Sequence, residues 1–339
     1  MRRVLLKSPA VPGRSFSYSS FRAILECTLK YHFQHVEKRP APQPPIFVVG
    51  SALHYMTYRF FRVMYKTAES FCGAWAHFFR NVAEGEHGPG GFRDRPVQIA
   101  WKFDKEQWYW NSRGKEVLTK FFERHKHHRR TGMAAAAEVR FRLSDWRGLS
   151  LSGVIDRIDD HGDHVAIVDY KMGLYPPYML GVKGSYQATF YQLAYEHLLF
   201  RRFGGKPLTA MTIENLFTGA SQEFNLRSGE DIDEFYADLI QASNYLRSIY
   251  SDWTPPPSLQ TQIHRFPVDT NGRFRLWPRL PRDPGHCSTC SYVDACIAWV
   301  DQHRSENQLP DAVRWWQDRR RQLRAQAMPN QEELPLVSP

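Results

Sequence analysis

The stretch from Glu138 to Gly173 reads EVRFRLSDWRGLSLSGVIDRIDDHGDHVAIVDYKMG, and its reading decides the fold. Three short apolar runs, Val139–Leu143, Leu149–Ile158 and Val165–Tyr170, are separated by turn-forming Asp, Gly and His. The last two alternate and are rich in Val and Ile, so the stretch predicts a three-strand β-meander. Asp159-Asp-His-Gly-Asp163 suits the second hairpin. Asp156 then stands in one strand and Asp169 in the next. Lys171 follows Asp169 by two, and period-2 geometry points both side chains to the same face. Two carboxylates and a lysine converging on one sheet face can bind a hard divalent cation and polarise a phosphate.

Other signals lie on either side. Phe21, Leu25, Leu29 and Phe33 recur at helical spacing, which predicts a helix opening near Ser15, capped by Ser17 and running to about Val36. Cys27 lies inside it and, taken by itself, reads as a small buried hydrophobe. Arg39–Pro45 is a stiff extended connector. After it, Phe47–His54 leads into a long helix predicted to reach about Val82, and Phe103–His125 predicts another. That one ends in His125-Lys-His-His-Arg-Arg130, read as a solvated basic helix end that can touch phosphate, in preference to a His-rich metal tract. Lys183–Phe200 is predicted helical, with Gln187, Tyr191 and Tyr195 on one face. Thr209–Phe217 is a predicted strand and Ile232–Tyr250 a predicted helix.

Cys287-Ser-Thr-Cys290-Ser-Tyr-Val-Asp-Ala-Cys296 supplies three thiolates from one loop, one short of a closed four-coordinate site. A fourth ligand must come from elsewhere in the chain.

Gly153-Val-Ile-Asp156-Arg157-Ile-Asp159, followed by Ile167-Val-Asp169-Tyr-Lys171-Met-Gly173, resembles the nuclease core of the PD-(D/E)XK superfamily, most of all its RecB/AddB branch. Gly50-x-x-x-His54 looks like that family's G-x-x-x-H motif, and Gln187-x-x-x-Tyr191 like its Q-x-x-x-Y motif. One Cys before the core and three after it match the branch's cysteine pattern, although Thr28 stands where Pro is usual. The resemblance spans about residues 15–300.

It implies an α/β fold: a restriction-endonuclease-like mixed sheet flanked by helices, with a helical insertion at about 55–130 and a catalytic core at about 137–217. An iron–sulfur loop at 287–296 would complete the domain. Residues 1–14 then form an extension, and residues 301–339 a basic helix and a disordered tail. The activity implied is metal-dependent phosphodiester hydrolysis, by a single-strand-preferring exonuclease in DNA repair or recombination. Asp156, Asp169, His54 and the Tyr170 carbonyl would hold Mg²⁺ or Mn²⁺. Lys171 would orient water or stabilise the transition state, while Gln187 and Tyr191 position nucleic acid or Lys171. Glu138 falls where some members carry an acidic residue and would support the site. Arg157 would pair with Asp159 or contact phosphate. Cys27, Cys287, Cys290 and Cys296 would hold a [4Fe–4S] cluster, with structural Zn²⁺ as the alternative and Cys72 as the second choice of fourth ligand.

Composition sets the outer bounds. The 339 residues carry 45 Lys+Arg against 35 Asp+Glu, a net charge of +10, which permits polyanion binding. No apolar run approaches the roughly 20 residues of a membrane span. MRRVLLKSPAVPGR is too short in its apolar core for a secretory signal, so a cytoplasmic protein is expected, with a short mitochondrial presequence as the alternative that its Arg-rich, acid-poor composition allows. Five cysteines, three of them crowded together, favour an intracellular metal site over a disulfide framework. There is no G-x-x-x-x-G-K-[ST] loop, so any ATP-driven unwinding would need a helicase partner. Two other function classes remain: a catalytically silent DNA-binding or assembly subunit, and an iron–sulfur regulatory protein.

Overall fold

The computed structural model describes residues 15–91, 95–103, 105–131, 133–172, 186–250, 290–292 and 295. They form two compact units, one of residues 15–18 and 42–239, the other of residues 19–41 with 240–250, 290–292 and 295. No helix among the described residues is long and apolar enough to cross a membrane.

The larger unit is organised by a mixed sheet. Its strands are β1 (Ser15–Ser17), β2 (Ala134–Trp146), β3 (Leu149–Asp160), β4 (Val165–Lys171), β5 (Leu208–Asn215) and β6 (Ser221–Phe224). Antiparallel β2, β3 and β4 are the meander read from the sequence. Its second hairpin closes where the His161 amide donates to the His164 carbonyl and Gly162 takes a φ of 98°. Parallel β5 follows on β4, and β6 returns antiparallel.

Strand β3 is shared in a way that matters for function. β2 runs along one of its edges. On the other, β1 pairs with Ser150–Ser152 and β4 with Arg157–Asp160. Residues 153–156 fall between those two ladders. Beyond Val168, β4 leaves β3 while staying paired with β5 through Lys171. The sheet therefore forks between Asp156 and Asp169.

Two helices meet β4, α3 (Pro45–Arg62) through His54 and α5 (Glu106–Thr131) through Phe121, both on Tyr170, and α4 (Ala68–Ala83) packs on α5. Pro at the first position of α3 costs no hydrogen bond, because that amide has no helical acceptor. The single helix expected from His54 to Val82 is two helices. Val63 is extended, and Thr67 restarts the chain with a reciprocal capping box to Ser70. This break lets α4 fold back, so that Phe60, Phe71, Trp75 and Phe121 share one core with Val168 and Tyr170. Each such side chain contributes about 1.5–3 kcal/mol through burial. The buried Trp75 indole donates to the Asn111 carbonyl at 3.0 Å, so its polar atom is satisfied. Helix α6 (Tyr186–Ala194) continues through a π turn to Leu199, and α7 (Gly229–Tyr250) follows β6.

In the smaller unit, the Cys27 amide on the Ala23 carbonyl and the Tyr31 amide on the Cys27 carbonyl carry helical bonding across Cys27, so α1 (Tyr18–Glu26), α2 (Thr28–Tyr31) and a π turn to Val36 follow one another along the helix expected here. Its predicted opening, Ser15–Ser17, is strand β1 in the other unit, because pairing with Ser150–Ser152 outweighs helix capping by Ser17. Glu37 accepts from His32 at 3.0 Å and from Arg39 at 2.8 Å. The Arg39 guanidinium covers the Phe33 ring, and the Tyr292 hydroxyl donates to the Arg39 carbonyl at 3.2 Å.

Gly114 of α5 lies against Trp75, and a Cβ there would overlap the indole carbons. Alanine is intrinsically better than glycine in a helix by about 1 kcal/mol, but overpacking a rigid buried ring costs more. Gly114→Ala is therefore expected to destabilise the protein by about 1–3 kcal/mol, read as a lower urea midpoint. A midpoint equal to or above the parent's would show that Trp75 can move aside.

Candidate active site

The fork gathers the residues singled out in the sequence. Asp156, the last residue of β3 before its ladder with β4 begins, accepts from the Tyr170 amide at 2.8 Å. Its Oδ2 is 3.3 Å from His54 Nδ1, reaching in from α3. A Cβ at Gly50, one turn earlier in α3, would meet the Met172 sulfur at 3.5 Å, an ordinary contact, so the helix lies close to the end of β4. Across the fork, Asp169 Oδ2 is 2.6 Å from Lys171 Nζ, as their shared strand face requires.

Helix α6 closes this pair. The Gln187 carbonyl oxygen accepts from Lys171 at 2.6 Å. Its amide nitrogen donates to Asp169 at 3.1 Å and to the Tyr191 hydroxyl at 2.6 Å, and that hydroxyl lies 3.4 Å from Asp169. One turn of helix separates Gln187 from Tyr191, so both reach the same carboxylate. Glu138 stands across the β2–β3 ladder from Asp156, since Ala137 pairs with Arg157 and Val139 with Ile155. Its φ of 52° is in the left-handed region that residues other than glycine seldom occupy, a local strain placed beside the site.

The electrostatics follow from crowding acids at a poorly solvated fork. Burial, then the charge of Asp156, pushes the Glu138 carboxyl up to about 7 despite His54 and Arg140. Asp169 is also raised, by burial first and Asp156 next, against the pull of Lys171. Asp156 is lowered, because His54, Lys171 and the Tyr170 amide outweigh its burial. His54 and Lys171 are both raised: burial favours their neutral forms, but the neighbouring carboxylates win.

Asp156, Asp169, Glu138 and one imidazole form a hard donor set in which like charges already repel, so it fits a divalent cation. As arranged, however, Asp156 faces His54 and Asp169 faces Lys171. Among the described residues no three His, Cys, Asp or Glu side chains are grouped to surround an ion.

Behind the fork lies a buried network that the sequence reading did not assemble. Arg157 pairs with Asp159 and donates to the Tyr170 hydroxyl, so of its two expected partners it takes Asp159 and is buried from solvent. Glu214 of β5 accepts from His125 at 2.9 Å and from Arg124 at 3.1 Å. His125 is thus a buried residue and not a solvated helix end. The available signal was its position four residues after Phe121, on the apolar stripe of α5.

Of the cysteines, Cys27 is buried in the smaller unit, and Cys290 lies in the same unit two residues before Tyr292. Cys287 and Cys296 lie outside the described residues, as do residues 1–14 and 301–339. Cys72 is half-buried between α4 and α5, with Sγ 3.2 Å from Thr119 Oγ1.

The sequence profile of the PD-(D/E)XK nuclease superfamily matches residues 15–297. The chain belongs to that superfamily, and its mixed sheet flanked by helices is an α/β fold consistent with it. Among solved structures, a "Putative exonuclease" from Eubacterium rectale is similar with a TM-score of 0.39 and 13% identity, over 73% of this chain and 85% of that one. A 64-residue segment is 39% identical to NACHT domain- and WD repeat-containing protein 1 of Mus musculus. That segment spans 19% of this chain and 4% of the mouse protein.

Glu214→Gln is expected to cost about 1–3 kcal/mol at neutral pH by weakening the bonds to buried His125 and Arg124. Burial favours the neutral acid, but the bond and charge of His125, with Arg157 and Arg124, hold the Glu214 carboxyl below its ordinary value of 4.5. A depressed acid stabilises above its unfolded value and loses that contribution as pH falls through the folded one. The stability gap between parent and variant should therefore narrow as pH falls below about 4.5, where the Glu214 carboxylate itself is lost. Denaturant unfolding between about pH 5 and 3 checks it, and a gap that fails to narrow there would contradict the assignment.

Proposed function

We propose that the chain is a metal-dependent deoxyribonuclease of the RecB/AddB branch, a single-strand-preferring exonuclease working in DNA repair, recombination or DNA processing. The observation that carries the reading is the fork, with Asp156 on one prong, Asp169 on the other and Lys171 held on Asp169 by Gln187. His54, Asp156, Asp169 and the Tyr170 carbonyl are the donors for Mg²⁺ or Mn²⁺, an imidazole ligand favouring manganese alongside magnesium. When bound, such a cation supplies Lewis-acid stabilisation of phosphate charge and a more acidic water.

The remaining work falls to side chains. Lys171, kept cationic by two carboxylates, is placed to hydrogen-bond the attacking water or a developing phosphate charge. Gln187 bridges Lys171 and Asp169, so it sets their separation, and Tyr191 fixes Gln187. Glu138 supports Asp156 from the neighbouring strand. A free DNA end as substrate and a helicase partner are carried over from the branch resemblance, and the cysteine usage supports an intracellular setting.

We also propose that Cys27, Cys287, Cys290 and Cys296 hold one [4Fe–4S] cluster, with zinc as the competing occupant. Support comes from the smaller unit, where Tyr292 brings the segment after Cys290 onto Phe33 and Arg39, close in sequence to Cys27.

Asp156→Asn, Asp169→Asn and Lys171→Ala should each lower cleavage of end-labelled single-stranded DNA by at least about a hundredfold. The two asparagine variants should keep melting temperatures near the parent's, whereas Lys171→Ala, which strips buried Asp169 of its cation, should melt lower. Near-parental cleavage by Asp169→Asn would remove the fork from the chemistry, and absence of cleavage by the parent with either metal would favour a silent DNA-binding subunit.

The cysteine reading has a separate readout. Anaerobic purification is expected to give a brown protein with about four irons per chain. Cys27→Ala should lose the iron and the visible absorbance, whereas Cys72→Ser should keep both. A colourless protein with one zinc would replace the cluster, and full iron in Cys27→Ala would exclude Cys27 as a ligand.

A further inference from the structure

Helix α3 has a second face. Val49, Leu53, Met56 and Phe60 enter the core, while Phe47, Ser51, His54, Tyr58 and Arg62 recur at spacings of three or four on the opposite side. His54 is thus the member of this stripe that meets Asp156 at the fork. Phe47 precedes it by two turns, about 10 Å along the axis, and is 57% exposed. Gly50, between them, is where α3 passes Met172, next to Lys171. An uncovered phenylalanine therefore stands just beyond the end of the catalytic strand.

The same end of the unit carries more of this kind. Gln43 and Ile99 form a parallel bridge, and the Ala100 amide donates to the Gln43 carbonyl at 3.0 Å, which ties the start of α3 to the segment leading into α5. That segment is folded back on α5. The Glu106 amide donates to the Phe103 carbonyl, and the buried Glu106 carboxylate accepts from the Lys102 amide and the Trp110 indole. Trp110 turns inward, whereas Phe103, Trp108 and Tyr109 are exposed, Trp108 by 71%. Four of the five exposed aromatic side chains among the described residues lie here, the fifth being Phe200.

Charge separates the possible occupants. Lys105, Trp108, Ser112 and Lys115 recur on one exposed face of α5, and Lys102 flanks Phe103. Among the described residues the exposed acid on this stretch of α5, Glu116, is engaged by Arg113 and Lys120. Aromatic rings interleaved with lysines match a strand that offers bases and phosphates in alternation. An apolar protein partner would instead leave those ammonium groups to be desolvated.

We propose that this surface is a base-stacking track for single-stranded DNA. Phe47 takes a base next to the active site, Trp108 with Phe103 and Tyr109 takes bases farther along, and Lys102, Lys105 and Lys115 meet the phosphates. The proposal rests on the nuclease reading for its substrate but makes binding contacts outside the catalytic set. Because stacking needs only a π face, the track would be indifferent to sequence and would favour unpaired strands over duplex.

The test measures binding in EDTA, without cleavage, by fluorescence anisotropy of a labelled oligothymidylate and of an abasic strand of equal length. Phe47→Ala and Trp108→Ala, both at exposed positions, should each weaken oligothymidylate binding roughly tenfold, the scale of one lost base stack. Neither should change binding of the abasic strand, which keeps the phosphates and lacks the bases. Parental affinity in both variants overturns the track, as does an equal loss on the abasic strand. A fall in oligomer size with unchanged DNA affinity also overturns it and makes the patch a protein contact. The two readings fail separately. If cleavage requires Asp169 but Trp108→Ala binds normally, only the track falls. If the parent does not cleave yet Trp108→Ala binds tenfold more weakly, the track stands and the catalytic reading falls.

Discussion

The constraint on which the rest depends is the crowding of acids at the β3–β4 fork. A carboxylate taken out of water is costly unless it is paired. Here Asp156 and Asp169 share a poorly solvated opening with Glu138 across the ladder. Two cationic or ionisable partners, His54 and Lys171, offset part of that cost, and the Tyr170 amide offsets more. The offset is incomplete, since Glu138 and Asp169 both sit above their ordinary values. A site held in this condition gains by admitting positive charge, which gives chemical sense to the cation proposed for it.

Such a site can persist only if its surroundings are rigid. The fork is backed by β5, by the Arg157–Asp159–Tyr170 contacts and by Glu214 gripping α5 through His125 and Arg124. Tyr170 joins the two layers. Its amide serves Asp156 in front, while its ring and hydroxyl are buried behind against Phe121 and Arg157. The fused aromatic core of α3, α4 and α5 then sets the height at which His54 meets Asp156. Function at the front thus draws on apolar burial at the back.

Much of this was legible in the sequence. Alternation gave the meander and its turns, and the two-residue spacing of Asp169 and Lys171 placed them together, as their 2.6 Å separation bears out. The four-residue spacing of Gln187 and Tyr191 likewise predicted a shared helix face. Other features were hidden because they depend on long-range pairing. Ser15–Ser17 carries local helix-capping chemistry, yet three rungs with β3 make it a strand. The α3–α4 break has no Pro or Gly to announce it, only the Thr67–Ser70 box. His125 looked like the first residue of a basic run, and only Glu214, arriving from a strand 89 residues on, shows why it is buried. The fork itself follows from β1 and β4 sharing an edge of β3, which no local pattern encodes.

Metal binding by the fork can be measured directly by following thermal stability during a manganese titration. A cation that binds the folded chain and not the unfolded one raises stability by mass action. Melting temperature should rise with Mn²⁺ and saturate in the parent, and the rise should vanish in Asp156→Asn. A melting temperature indifferent to Mn²⁺ in the parent, or an undiminished rise in Asp156→Asn, would contradict the claim that the fork is a cation site.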